Sequence, residues 1–519
     1  MSARAVERFC VRIKATAVCS ARSEQCHVHR SNRTIPVVVE PRTPIIVGQT
    51  GCEIDCATLE SAPLNQRCAC EVVDILRLHE SIRGAFPEFT TDPAVHAHLF
   101  SPYALFVDRP ALEAMGRVAA AVFDVAGNPG YSQRVLQWAP DIATHDPGSA
   151  GGVLGLDFHL TVDGPRLIEV NTNPGGLLLN ALLLDAVRSC APPAWATWTN
   201  AAQARDAAVT AWMEDARQQS GRTPSRLAIV DSTPRAQFLY PEFVLYANAF
   251  RDHGVDCVIS APEDLSFGSD GLEDAHGRID TVYNRLTDFA LEDASHADIR
   301  EAYLAGDVAL MPHPRAHALF ADKRNLAVLG DPALLGGFGV DAGSTALLGQ
   351  VIPPTVELVP ANRDALWAVR NGYFFKPAAG FGSRGSYRGD KLTRRTWASM
   401  ASATYIAQAF APPSMRIVHG GQSLKADVRC FASEAGVLLF AARLYQGQTT
   451  NMRTPRWWIR SGAHVVTDRG VIPHRSRPLG RVVATARRVP IQPVRAPHRS
   501  RRSICSARPR GRSAWLQHR

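Results

Sequence analysis

A chain of 519 residues and 56.4 kDa, 46% hydrophobic and 20% charged, carries apolar material for one large domain or several ordinary ones, which excludes disorder along its whole length. Its longest apolar stretch, Leu177 to Leu184, is interrupted by Asn180 and falls short of the roughly 20 residues a bilayer span needs, and charges from Arg4 to Lys14 leave no apolar export segment near Met1, so no membrane partner and a cytoplasmic location are expected. The formal charge of +9 sits at the ends, with 16 Arg against Asp468 alone in residues 456–519 and eight bases against three acids in residues 1–45; the acidic body between them excludes a phosphate-backbone binder, and no specific nucleic acid is expected.

Residues 1–45 read as a basic, cysteine-containing extension without structure. Seven of the eleven cysteines (Cys10, Cys19, Cys26, Cys52, Cys56, Cys68 and Cys70) fall in the first seventy residues. Their spacings do not match the usual short-loop zinc pairs, and free thiols fit better. From Pro110 to Val125 the apolar residues Leu112, Met115, Val118, Ala119 and Val122 recur at helical spacing behind an N-terminal proline.

Residues 151–171 then read as two strands joined by a turn at Val162-Asp163-Gly164-Pro165. Strand alternation puts Glu169 and Asn171 on one face, and Asp157 can meet them from the paired strand. Two carboxylates and an amide oxygen are hard ligands suited to a Mg²⁺ ion that carries a nucleotide's phosphates. A solvated acidic strand end is the alternative.

A helix over Asn200 to Gln219 precedes a strand-helix-strand unit: Arg226 to Val230, Gln237 to Phe250, Asp256 to Ser260. Such units build an open α/β sheet. A strand at Thr281 to Asn284 leads into Arg285, a good place for a substrate carboxylate to dock. A helix is expected over Ala294 to Ala305 and another over Phe320 to Leu329, the second carrying Lys323.

The strand Tyr373 to Lys376 ends at Lys376-Pro-Ala-Ala-Gly380-Phe-Gly382-Ser-Arg-Gly385. Glycines at that spacing let a backbone fold over an anion with its N–H groups inward, and the upstream lysine adds a point charge. The dinucleotide fingerprint is formally satisfied, but no amphipathic helix starts at the third glycine and no acid stands at the required distance, so a phosphate-covering hairpin loop fits better. Tyr405 to Phe410, Ser423 to Ser433 and Val437 to Tyr445 read as successive strands of one antiparallel sheet. The run Arg443-Leu-Tyr-Gln446-Gly-Gln448-Thr449-Thr450-Asn451 is dense in hydrogen-bonding side chains.

Together the hairpin and the glycine loop resemble the ATP-grasp ligases. The hairpin precedes the loop, an order similar to the circularly permuted branch that includes eukaryotic-type glutathione synthetase and glutathionylspermidine synthase. The likeness covers roughly residues 94 to 455. It implies an α+β and α/β chain of ATP-grasp fold, with the nucleotide held between two α+β subdomains and a Rossmann-like α/β substrate subdomain beside them. The expected parts are 46–225 with the metal hairpin, 226–310 as the strand-helix-strand subdomain and 311–455 as the ATP-binding part. Asp157, Glu169 and Asn171 are then expected to hold Mg²⁺. Lys323 and Lys376 would contact the phosphates beneath a loop of Gly380, Gly382 and Gly385. Tyr405 to Gln408 would be the strand whose backbone meets adenine, and Asp427 would face the phosphates. Arg285 or Arg429 would stabilise the tetrahedral adduct.

The implied activity is ATP- and Mg²⁺-dependent joining of a small-molecule carboxylate to an amine through an acylphosphate. A kinase-like phosphotransferase uses the same parts, and a catalytically impaired ATP-binding protein remains open. The last alternative has a specific source. After Pro455 the sequence turns to Arg456-Trp457-Trp458-Ile459-Arg460-Ser461, whose codons, shifted by one base, can encode Gly-Gly-Gly-Phe-Ala-Pro. Residues 456–519 are therefore expected to be a frameshifted, structureless tail that replaces a glycine-rich closing turn.

Overall fold

The computed structural model describes residues 60–68, 71–86, 100–186, 195–380, 382 and 384–448, together with the strands Ala17–Cys19, Cys26–Arg30, Arg33–Val37 and Arg460–Asp468. All of these lie in the compact unit Met1–Gly470. The architecture is mixed α/β, and three sheets position the site. Among the described residues no helix is long and apolar enough to cross a membrane.

The largest sheet runs, in spatial order, Leu105–Phe106, Arg460–Asp468, Gly436–Tyr445, Gln422–Ser433, Leu154–Thr161, Gly164–Asn171, with Ser414–Val418 paired beside Gln422–Ser433. The expected hairpin is its end pair, closed at Gly164, whose φ of +98° suits glycine. Leu154, Leu156 and Phe158 point to one face and are fully buried. The helix Arg109–Ala126 covers that face with Leu112, Met115 and Val118, so the apolar spacing read from the sequence is its packing stripe. The alternate residues Asp157 and His159 are left for the opposite face.

The second sheet is all-parallel: Ala309–Met311, Thr281–Asn284, Arg226–Val230, Asp256–Ser260. Its strands are buried on both sides, with Leu227, Ile229 and Tyr283 in one apolar core and Ala228, Val230 and Val282 in another. That double burial explains the near-continuous apolar runs of these strands. The strand-helix-strand unit and the strand before Arg285 stand where the sequence put them.

The third sheet is antiparallel, Thr355–Glu357, Tyr405–Ala409, Tyr373–Pro377, Tyr387–Arg388, over a small core of its own around Phe375, Trp397 and Met400. Tyr405–Ala409 therefore does not continue into the sheet of Gln422–Ser433, as the sequence suggested. Pro412 and Pro413 lack the N–H groups a continuing strand needs, and the chain crosses here to the large sheet.

Two further expectations change. Phe320 to Leu329 is not one helix: the helical turn His317–Ala321 ends at Asp322, and Asn325–Leu329 starts afresh. The Lys323 amide leaves the helix to donate to Ala378 O (2.9 Å) beside the glycine loop. Within the tail, Arg460–Asp468 is a strand paired to Gly436–Tyr445 and Leu105–Phe106, so those residues are not structureless; the rest of 456–519 lies outside the described residues. The extension 1–45 likewise holds three short strands, Ala17–Cys19, Cys26–Arg30 and Arg33–Val37. Of the early cysteine side chains only Cys68 is described, as a buried free thiol.

Arg416 joins the N-terminal segment to the large sheet. Fully buried, it donates to Ala104 O (2.8 Å), Asn65 O (3.3 Å) and Ile417 O. Arg416→Met would leave those carbonyls dry and unpaired, at a cost of about 3 kcal/mol. Urea unfolding followed by far-UV circular dichroism should show that loss, and an unchanged midpoint would contradict it.

Candidate functional site

Between the open face of the large sheet and the small antiparallel sheet lies a cavity of about 380 Å³. Its floor follows from strand register. Asp157 stands opposite Glu169 on one side and Arg429 on the other, and one step along the face come Asp427 opposite Arg443, then Lys425 opposite Tyr445. The roof is made by Phe374, Lys376 and Gln408 from the small sheet, with Lys323 and Gly380 closing one end.

Floor and roof touch. Lys323 Nζ lies 3.2 Å from Glu169 Oε1 and donates to Gly380 O (3.1 Å). Lys376 Nζ donates to Ile168 O (2.7 Å) and to Gln408 Oε1 (2.8 Å). The acidic hairpin and the glycine loop, far apart in sequence, thus meet in one cleft. Burial works to raise the Glu169 pKa, but Lys323 and Lys376 outweigh it and hold the carboxyl below its ordinary range. Burial pushes the Lys376 ammonium down to about 8, opposed by Glu169 and aided by Lys323.

Asp157 is 1% exposed and gripped from two sides. Arg429 forks onto both its oxygens at 2.6 and 2.7 Å, and Arg443 reaches it at 2.9 Å while pairing Asp427 at 2.7 and 3.1 Å. Burial alone would raise the Asp157 pKa; the two guanidiniums outweigh it and hold the carboxyl well below the usual range. Asn171 Nδ2 donates to Asp157 Oδ2 (3.3 Å) and Gly155 O (3.4 Å). The three expected metal ligands are therefore neighbours, but Asp157 is engaged by arginines, which leaves the Glu169 carboxylate and the Asn171 amide oxygen as donors. Among the described residues no group of three His, Cys, Asp or Glu is placed to hold a metal ion. Two oxygen donors fit Mg²⁺ only in the form in which it is usually held, with phosphate and water oxygens supplying the remaining ligands.

The glycine loop has the backbone its composition implied. Gly380, Gly382 and Gly385 take φ of +143°, +63° and +68°, and a Cβ at Gly385 would meet Tyr405 Oη and Pro377 at 3.0 and 3.1 Å. Phe381 and Ser383 lie outside the described residues. Gly380, Arg384 and Ser386 line the cavity; Gly382 and Gly385 do not.

Three placements differ from expectation. Tyr405–Ala409 is the inner strand of its sheet, paired on both edges, so its main chain is committed, and of its residues Gln408 and Ala409 line the cavity. Arg429 and Arg285 are not among the lining residues. Arg285 donates to Asn173 Oδ1 and to Tyr283 Oη (3.2 Å), and Arg429 donates to Gly175 O (3.4 Å), so the two flank the turn Pro174–Gly176 behind Asp157. Asp427 does not pair Arg429, two residues on, but Arg443 across the sheet.

Sequence reasoning missed His159, Arg388 and Lys425 and offered Arg443 only within a polar run; alternation from Asp157 and Asp427 was the available signal. It also missed the buried Glu242, whose carboxylate accepts from the amides of Gly176 (2.8 Å) and Leu178 (3.1 Å), and no local signal marks it. Six basic side chains (Lys323, Lys376, Arg384, Arg388, Lys425 and Arg443) line the cavity against Asp157, Glu169 and Asp427. The other wall, Phe374 and Ala409 to Pro413 with Met415, is apolar. A ligand that combines anionic groups with a flat, weakly polar portion complements this lining, in which Arg388 lies over the Phe410 ring at 4.8 Å.

No protein-family model and no curated protein matches the chain. Among solved structures, it is similar to a glutathione synthetase-like effector from Globodera pallida, at 13% identity and a TM-score of 0.44 over 76% of this chain and 97% of the other. A protein from Methylobacillus flagellatus KT described as a gamma-glutamylcysteine synthetase gives 12% and 0.35 over 66% and 85%. The ATP-grasp ligase PsnB, complexed with a minimal precursor, gives 15% and 0.26 over 45% and 75%. At these identities and TM-scores the likeness extends to no individual residue.

Asp157→Asn would remove the charge shared by two buried guanidiniums and should cost about 3 kcal/mol. The depressed pKa of Asp157 gives stability that is complete above the unfolded value of 3.8 and lost as pH falls through the lower folded value. Denaturant titrations at pH 7 and pH 3 should therefore show a gap between wild type and variant that narrows in acid; a gap that is absent, or constant with pH, would count against this role.

Proposed function

We propose that this chain is an ATP-grasp-type ligase that joins a carboxylate to an amine at the expense of ATP, in the cytoplasm. The observation that carries the reading is the ion pair of Lys323 with Glu169 under Gly380, which unites the two sequence motifs in a cavity lined by basic and apolar side chains.

In this reading Lys323 and Lys376 neutralise the β- and γ-phosphates, and the N–H groups of the Gly380 to Gly385 loop cover them. Glu169 and Asn171 would hold Mg²⁺, which offsets negative charge on the transferring phosphoryl group. The substrate carboxylate oxygen attacks the γ-phosphorus and ADP departs; the amine nitrogen then attacks the acyl carbon and phosphate leaves. No nucleophilic side chain is required, because alignment and charge neutralisation supply the rate. Arg285, 7% exposed beside Asn173 and Tyr283, supports a docking point for the carboxylate substrate behind Asp157. Arg429 and Arg443 are committed to Asp157 and serve first to fix the floor.

Calorimetry with ATP, with and without Mg²⁺, tests the site. Glu169→Ala should abolish the Mg²⁺ enhancement, and Lys376→Ala should weaken binding about 10- to 100-fold, the worth of a hydrogen bond to a charged group. The depressed Lys376 pKa gives a further signature. Its charge is half present at about pH 8 and lost well above it, so wild-type affinity should fall as pH rises through that region, by no more than the loss caused by Lys376→Ala, while the variant's own profile stays flat. Unchanged affinity in both variants would remove the site. Phosphate release that depends on added amine supports ligation; ADP formation without amine, with a stable phosphorylated product, would replace it by phosphotransfer.

A further inference from the structure

The apolar wall of the cavity offers a bound base few main-chain N–H donors. Ala409 N–H is spent on Pro354 O (2.7 Å), Phe410 N–H on Gly372 O (2.8 Å), and Pro412 and Pro413 have none. The Ala411 carbonyl is taken too, by His159 Nδ1 at 2.7 Å. A carbonyl can only accept, so Nδ1 carries the ring proton and Nε2 of the neutral imidazole keeps its lone pair. His159 lines the cavity, and among the described residues no group bonds its Nε2.

His159 stands two residues beyond Asp157 on the same strand face, about 7 Å along it. It touches the connector between the two sheets, where Phe410, Pro412 and Pro413 line the cavity. A phosphate chain held at Glu169, Lys323 and Lys376 would direct its nucleoside toward that wall. Resting on the nucleotide reading above, we propose that His159 is the base-reading residue: its Nε2 accepts a hydrogen bond from the exocyclic amino group of a 6-aminopurine, and purines without that donor bind less well.

The probes are ATP, purine riboside 5′-triphosphate, which lacks only the amino group, and 2′-deoxy-ATP, each titrated calorimetrically with Mg²⁺ into the full chain. Wild type should prefer ATP over purine riboside triphosphate about tenfold, one net hydrogen bond. His159→Asn keeps a donor near the Nδ1 position for Ala411 and deletes Nε2, so the preference should collapse toward one. His159→Gln places an acceptor near Nε2 and should retain most of it. Equal wild-type affinities, or a preference that survives in His159→Asn, would overturn the assignment without touching the nucleotide site. A penalty confined to 2′-deoxy-ATP would transfer Nε2 to the ribose and overturn it as well. Failure of every triphosphate to bind would remove the nucleotide reading and this one together.

Discussion

The site depends on how a buried carboxylate, Asp157, is neutralised. An isolated charge at 1% exposure would be intolerable, and the structure answers with two guanidiniums. The second of these, Arg443, is in turn balanced by Asp427. Arg429, Asp157, Arg443 and Asp427 form a linear chain of two positive and two negative groups, alternating in sign, across neighbouring strands. Its geometry is set by sheet register, so a slip of one residue would turn the whole set away from the cavity. The floor is thereby charge-neutral before any ligand arrives. The excess positive charge of the cavity sits on Lys323, Lys376, Arg384, Arg388 and Lys425, of which Lys323 and Lys376 act on Glu169 while Arg388 pairs Asp390.

The chain that leaves the hairpin fixes this arrangement to the parallel sheet. Asn171 reaches back to Asp157, and Thr172 bonds His317. Asn173 accepts from Arg285 and donates to Asn284 O at the end of a parallel strand. Gly175 O accepts from Arg429 at 3.4 Å, and the Gly176 amide donates to Glu242. Successive residues are thus tied to different elements, and the segment packs closely enough that a Cβ at Gly175 would come within 2.4 Å of Leu239 Cδ1 and displace that side chain. Anchoring of this kind fixes Glu169, before the turn, relative to Arg285, which follows the parallel strand Thr281–Asn284 and bonds Asn173.

What the sequence revealed was local. The hairpin, the helix Arg109–Ala126 and the strands Arg226–Val230, Asp256–Ser260 and Thr281–Asn284 announced themselves by periodicity, because each buries a face or both faces within its own stretch. The glycine loop announced itself by residue type, confirmed as positive φ at Gly380, Gly382 and Gly385. What stayed hidden was non-local pairing. No spacing shows that Tyr405–Ala409 pairs with Thr355–Glu357 and not with Gln422–Ser433, or that Asp427 takes Arg443 in preference to the nearer Arg429. Lys323 was legible as a residue but not as a turn, since its departure from the helix is dictated by Ala378. His159 was illegible for a different reason: its significance depends on the Ala411 carbonyl, distant in sequence and close only after folding.

The separation of cores gives the division of charge a consequence for binding. The small sheet has its own apolar interior around Phe375 and Trp397, distinct from the core beneath the large sheet. What joins the two across the cavity is largely polar: Lys376 to Ile168 O, Lys323 to Glu169 and Gly380, and the Arg388 amide to Gln448. Burial is the main cause of the lowered proton affinity of Lys376, and repulsion from Lys323 adds to it against the pull of Glu169. A polyanion at this point relieves the repulsion and adds a ligand that both sheets can grip. In the reading proposed above, ligand binding at this point and cohesion of the two sheets would be linked through the protonation of Lys376.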